Sequence, residues 1–147
     1  MATVQHCLQS KPGKLVAVKS DDFIVDALQQ MRDHRVRAVL VMDGDALTGI
    51  VTQGDCAIKV LLPGLDPNTV TVSEIMTRDP LSVSQQALLD QCMKIMIARS
   101  IRHLPVLEAG RVIGMVSIGD IVKNIIAQQG DHIRHLETYI KGHAVEY

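Results

Sequence analysis

Apolar residues follow two rhythms along this chain, and each rhythm is written twice. Ile24, Ala27, Leu28 and Met31 stand at i, i+3, i+4 and i+7, one face of an amphipathic helix. Ser20-Asp21-Asp22 ahead of them is helix-start chemistry. Leu15 to Val18 before that helix, and Val36 to Met42 after it, read as apolar strands. Asp43-Gly44-Asp45 is a hairpin turn that returns the chain through Leu47 to Val51. Thr52 to Leu62 then predicts a second helix, stopped by Pro63-Gly64.

The same pattern returns 65 residues later. Ile24, Ala27, Leu28 and Met31 become Leu89, Cys92, Met93 and Met96. Gly49-Ile50-Val51-Thr52-Gln53-Gly54-Asp55 becomes Gly114-Met115-Val116-Ser117-Ile118-Gly119-Asp120. The register holds without a gap from Val18 to Leu61. Upstream, Thr71-Val72 echoes Thr3-Val4 at a spacing of 68, so the first copy carries three extra residues near Lys11 to Lys14. A tandem repeat of this kind governs how everything else is read. The unit is strand, helix, strand, strand, helix, and one copy of about 60 residues buries little on its own. Two copies facing each other across a pseudo-twofold axis solve that problem.

The expected fold is therefore α+β: two βαββα repeats related by a pseudo-twofold axis, with a C-terminal helix. Residues 1–65 hold the first repeat and its N-terminal segment, with Val4, Cys7 and Leu8 at apolar spacing. Residues 66–129 hold the second, with Pro63 to Asn68 as linker, and 130–147 the last helix and tail. Gly130-Asp131 reads as a break and a new helix start. Ile133, Leu136 and Ile140 then give that last helix an apolar face.

Composition narrows the function. Hydrophobic residues make up 47% of the chain but aromatics only 2%, so Val, Ile, Leu, Met and Ala must build the core. Fifteen Lys and Arg against sixteen Asp and Glu argue against nucleic-acid binding through bulk charge. Neither a secretory leader nor a membrane span is visible, so the expectation is a cytoplasmic protein without a membrane partner. Cys7, Cys56 and Cys92 are odd in number and lack metal spacing, which argues against a disulfide framework or a structural zinc. Cys56 sits at a helix start, where a thiol pKa can fall, but a plain packing role is the expectation there. His132 and His135 lie three apart on the last helix with no third ligand, so no metal is expected. A hydrolytic triad and a phosphate-binding G-x-x-x-x-G-K-S/T loop are also missing, so an enzyme is not expected.

Thr52-x-x-Asp55 and Ser117-x-x-Asp120 are capping-box patterns, and duplication copies caps as faithfully as sites. Gly54 and Gly119 fall in the first helical turn, where glycine costs roughly 0.5–1 kcal/mol against alanine. A missing side chain there lets a ligand approach the backbone, whose free N–H groups suit phosphate. Arg37 and Arg102 hold equivalent points before a strand. Brought together near the axis, two guanidiniums call for an anion, and Arg suits phosphate by its forked geometry. His103 offers a further donor.

With Thr71-Val72-Ser73-Glu74-Ile75-Met76-Thr77 leading the second copy and His103-Leu104-Pro105-Val106 inside it, residues 3–128 resemble a pair of CBS domains. The ending Leu136 to Gly142 resembles the tail of small stand-alone bacterial CBS-pair proteins. The resemblance implies a regulatory module that commonly dimerises and binds AMP, ADP, ATP, NAD or S-adenosylmethionine between its repeats. It implies that Asp55 or Asp120 accepts ribose hydroxyls and that Thr52 or Ser117 contacts ribose or phosphate. It places adenine near Val16 and Val36 in one cleft, and near Leu81 and Ile101 in the other. The cleft floored by Asp120, with Arg102, His103 and Lys123, is expected to be the stronger. Gly54 and Cys56 depart from the family, where a basic and an aromatic residue are usual. The expected function is a non-catalytic adenine-nucleotide sensor, a homodimer that signals to an effector protein. The alternatives are a purely structural dimerisation module or a redox-linked one using Cys56.

Overall fold

The computed structural model describes the backbone of residues 1–11 and 15–142, and side chains through Gly130. Helix α1 (Val4–Gln9) leads into strand β1 (Ala17–Val18), helix α2 (Ile24–His34) and the hairpin β2 (Ala38–Asp43) and β3 (Ala46–Thr52). Helix α3 (Gln53–Cys56) follows and widens into a π-helical stretch over Ala57–Leu61. Helix α4 (Val72–Ile75) and strand β4 (Thr77–Arg78) then precede α5 (Leu89–Arg99), the hairpin β5 (His103–Glu108) and β6 (Arg111–Ser117), and α6 (Ile118–Gly142).

The duplication survives in fine detail. Strand β1 runs parallel to β2 through Val18 and Val41, and the bridge Val83 to Val106 repeats that pair 65 residues on. Both hairpins shift register at the same step, Val41/Met42 and Val106/Leu107. Helices α2 and α5 both end on a left-handed residue, Arg35 and Ser100, each with φ of 53°. The apolar face of α2 is buried through Ile24, Ala27 and Met31, as its spacing predicts, but Leu28 is 36% exposed. In α5, Leu89, Cys92 and Met96 are buried and Met93 packs at the edge.

The two cores do not divide where the repeats do. Val4 and Cys7 of α1 are buried with Leu104 and Val116 of the second repeat. Val72 and Ile75 of α4 are buried with Ile24 and Val51 of the first. Hydrogen bonds from Val4 N to Ala87 O (2.9 Å) and from Val72 N to Asp22 O (2.8 Å) anchor these exchanged segments. The N-terminal segment, grouped by sequence with the first repeat, thus completes the second core. The stretch leading the second repeat completes the first, and β4 extends its sheet to the order β1-β2-β3-β4. Short apolar pieces next to either repeat satisfy the same periodicity, so sequence spacing does not say which core they enter.

The break expected at Gly130-Asp131 does not occur, because α6 runs unbroken for 25 residues. One glycine costs a helix only about 1 kcal/mol against alanine, less than an interruption. A Cβ placed at Gly130 would meet nothing within 4 Å.

Candidate functional site

A cleft of about 680 Å³ opens between the two repeats. Strand β3 and the start of α3 bring Thr52, Gly54 and Asp55 to its floor, and Arg37 joins them from just before β2. The opposite wall comes from the second repeat: Leu81 after β4, and Ile101, Arg102 and His103 entering β5. Eight of the expected site residues therefore meet in one place. Arg102 and His103, expected with Asp120, line the cleft of Asp55, while His103 also feels the charges of Asp120 and Lys11. The pseudo-twofold axis sets the repeats face to face, so the β5 entry of one half lies opposite the helix start of the other. Sequence numbering groups residues by repeat and hides that crossing. Of the others, Val16, Val36, Ser117, Gly119 and Asp120 do not line this cleft, and neither does Lys123. Arg99 and Asp79 line it and were missed. Arg99 looks like a basic helix end, and Asp79 is recognisable only through the equivalence described below.

Thr52 and Asp55 form a complete capping box. Asp55 Oδ2 accepts from Thr52 N (3.0 Å), and Thr52 Oγ1 accepts from Asp55 N (3.1 Å). The cap uses one carboxylate oxygen and, among the described residues, leaves Oδ1 facing only Lys59 Nζ at 3.6 Å, an ion-pair distance and not a hydrogen bond. Lys59 itself donates to Ile75 O (3.0 Å). An ionised carboxylate accepts about four hydrogen bonds, so Asp55 retains capacity for hydroxyl donors.

Ser117 and Asp120 repeat the box at 2.8 and 3.1 Å. Here a second cation has arrived. Lys11, beyond the end of α1, donates to Asp120 Oδ2 (2.9 Å) and to Met115 O (3.2 Å). Burial pushes the Asp120 carboxyl up, but the hydrogen bonds from Ser117 and Lys11 outweigh it and hold the group below its ordinary value.

His103 lines the cleft of Asp55 and lies within electrostatic reach of Asp120. Burial chiefly, then the charge of Lys11, pulls its pKa below the usual 6.5; Asp120 opposes and Arg102 and Arg37 reinforce the shift. A neutral imidazole beside Arg37 and Arg102 is ready to gain a proton when an anion arrives. Cys56 takes the packing role expected of it, not the reactive one. Burial, with the Asp55 charge added, pushes its thiol up to about 11, because the enclosing core outweighs any favour from the helix start. Such a thiol is a core side chain rather than a reactive one. Among the described residues, no group of three or more His, Cys, Asp or Glu is placed to hold a metal. His132 and His135 lie outside the described side chains. No helix among the described residues is long and apolar enough to cross a membrane.

Known proteins share this fold. The pattern that defines the CBS domain matches residues 10–61 and 72–127. A mitochondrial CBS domain-containing protein of Arabidopsis thaliana, CBSX3, is 32% identical over 95% of this chain and 72% of its own length. Longer relatives from the same plant are matched over only about a fifth of their length (22% for one of them). A candidate signal-transduction protein with CBS domains from Burkholderia ambifaria superposes with a TM-score of 0.84 at 41% identity, over 87% of this chain and 96% of that one. The CBS domain pair of protein MJ0100, solved with 5′-methylthioadenosine and S-adenosylmethionine, superposes at 0.75 with 28% identity, over 86% and 98%. With a domain match covering both repeats, and with relatives named for CBS domains or signal transduction, this chain belongs to the CBS domain family and carries two such domains in tandem.

Proposed function

We propose that this protein is a non-catalytic regulatory module that binds a phosphorylated adenosine ligand, such as AMP, ADP, ATP or NAD, in the cleft floored by Asp55. The observation that carries the reading is the composition of that one cleft. It joins a carboxylate with unused acceptor capacity to Arg37, Arg99, Arg102 and His103, with Leu81 and Ile101 as apolar wall. Ribose hydroxyls donate to Asp55, the base lies against Leu81 and Ile101, and the phosphates face the guanidiniums. The open edge of Gly54, whose added Cβ would meet only Thr52 Oγ1 at 3.6 Å, lets the ligand close on the backbone. The bound adenosine compounds of the MJ0100 pair support the ligand class. Ligand binding shifts the balance between two arrangements of the repeats only as far as it favours one of them, and an effector protein reads the result.

A second copy of the chain is the expected partner. Leu61 and its equivalent Ile126 are both strongly exposed, as are Leu62 and Ile97. Large apolar side chains left in water at matched positions of both halves suit burial in a homodimer. The redox alternative loses its basis with the Cys56 thiol buried and at about 11.

A thermal-shift panel of AMP, ADP, ATP, NAD and S-adenosylmethionine tests the reading. A ligand at 100 times its dissociation constant adds about 2.7 kcal/mol of stability. The phosphorylated ligands should raise the melting temperature more than S-adenosylmethionine does. A flat response across the panel would leave the structural alternative as the better account.

A further inference from the structure

Lys11 and Asp79 are the same position in the two exchanged segments. The spacing of 68 that takes Thr3 to Thr71 takes Lys11 to Asp79 and Pro12 to Pro80. The packing agrees with this alignment. Leu8 lies against Gly114 and its equivalent Met76 against Gly49, the two glycines being 65 apart. Each segment thus delivers one ionisable side chain toward one carboxylate site, but of opposite charge. Asp79 enters the wall of the cleft that holds Asp55, where a second carboxylate offers no ion pair. Lys11 arrives at Asp120 and bonds it at 2.9 Å. The helices carry the inverse exchange. Lys59 stands four residues beyond Asp55, and the residue four beyond Asp120 is Asn124. Duplication thus left one acid with its cation held 3.6 Å off by a carbonyl, and the other with a cation bonded to it.

We propose that the Lys11 ammonium is a built-in counter-ion of the second carboxylate, neutralising at Asp120 the acid that the first cleft leaves for a ligand. The inference rests on the reading of Asp55 and Asp120 as equivalent ribose acceptors. Lys11 is held by more than one contact. Its ammonium also caps Met115 O, and α1 behind it is anchored by buried Val4 and Cys7 and closed by Ser10 Oγ donating to Cys7 O (3.1 Å). Lys11 shares Oδ2 with the cap and pairs the charge of the acid, so a ligand reaching Asp120 competes with an internal cation, and this chain takes one adenosine ligand per molecule at concentrations that fill the first cleft.

Calorimetric titration with ATP tests this, because it counts sites. The wild type should bind one ATP per chain, and Lys11→Met should bind two, or bind the second at least about tenfold more tightly. Adding Asp120→Asn to Lys11→Met should return the count to one, and Lys11→Arg should keep it at one. Two equal sites in the wild type, or one site in a folded Lys11→Met protein, would overturn the proposal. If ATP binds neither protein, the ligand reading fails and the lysine contact is judged separately by carboxyl carbon NMR. The Asp120 resonance should then titrate at higher pH in Lys11→Met than in wild type. An unchanged titration would overturn the contact itself.

Discussion

The two carboxylate sites of this protein share a capping box and differ in what reaches the acid. Asp55 and Asp120 each accept a backbone N–H three residues back, at 3.0 and 2.8 Å. Beyond that, Asp55 looks into a cleft lined by arginines of both repeats, whereas Asp120 receives Lys11. The difference teaches that a motif establishes the local turn and not the site. Thr-x-x-Asp and Ser-x-x-Asp each guarantee a helix start. Whether the acid is available depends on a residue from an exchanged segment more than a hundred positions away.

The sharpest test of that contrast concerns how the segments are attached. A Cβ at Gly49 would lie 2.6 Å from Met76 Sδ and 2.9 Å from Thr77 O, and the second of these is backbone paired into the sheet. A Cβ at Gly114 would meet only Leu8, at 2.7 Å from its Cδ2. Gly49→Ala should therefore cost about 2–3 kcal/mol in urea unfolding, and Gly114→Ala clearly less, since a leucine tip can rotate away. Equal losses would mean that α1 is held as rigidly as β4.

Next in size is the phosphate side of the open cleft. Arg102→Ala should weaken ATP about tenfold while leaving adenosine binding nearly unchanged, as a charge-assisted contact confined to phosphate requires. Parallel loss of both ligands in calorimetry would move Arg102 to the nucleoside end. A smaller effect separates the helices that follow the two acids. The one after Asp55 widens at Ala57, while α6 runs on through Gly130 with open space around it. Gly130→Ala should stabilise the protein by up to about 1 kcal/mol, read by thermal unfolding. A loss instead would reveal close packing at that glycine, as in a dimer.

The smallest effect is a proton. His103 has a pKa below 6.5 in the folded chain, so the unfolded state binds more protons just below that pH. Ligand-free stability should then fall as pH drops from 6.5 through the lowered value. A phosphate against His103 raises that pKa again, so ATP should bind more tightly near pH 6 than at pH 7.5 and take up a proton. Titration in two buffers of different ionisation heat measures the uptake, and proton release would contradict the placement of His103.

Much of the fold was legible in the sequence. The period of 65, the 3.6-residue rhythm at Ile24 and Leu89, and the glycine-marked hairpins sufficed for two βαββα units, because those signals are local. The exchange of α1 and α4 was not legible, because four apolar residues fit either core. The site was legible in membership but not in pairing. Thr52, Asp55, Arg37, Arg102 and His103 were all singled out, yet Arg102 was matched with the acid of its own repeat. Only the face-to-face arrangement crosses them. Leu28 was assigned to a buried face that narrows in the structure to Ile24, Ala27 and Met31.

The central claim is that Asp55, not Asp120, holds the ligand. Calorimetric titration of ATP into Asp55→Asn and Asp120→Asn, each preserving the cap geometry, tests it most directly. The account predicts that Asp55→Asn weakens binding by roughly tenfold or more, the worth of a hydrogen bond to a charged acceptor, while Asp120→Asn binds as the parent does. Loss in Asp120→Asn with binding intact in Asp55→Asn would contradict it.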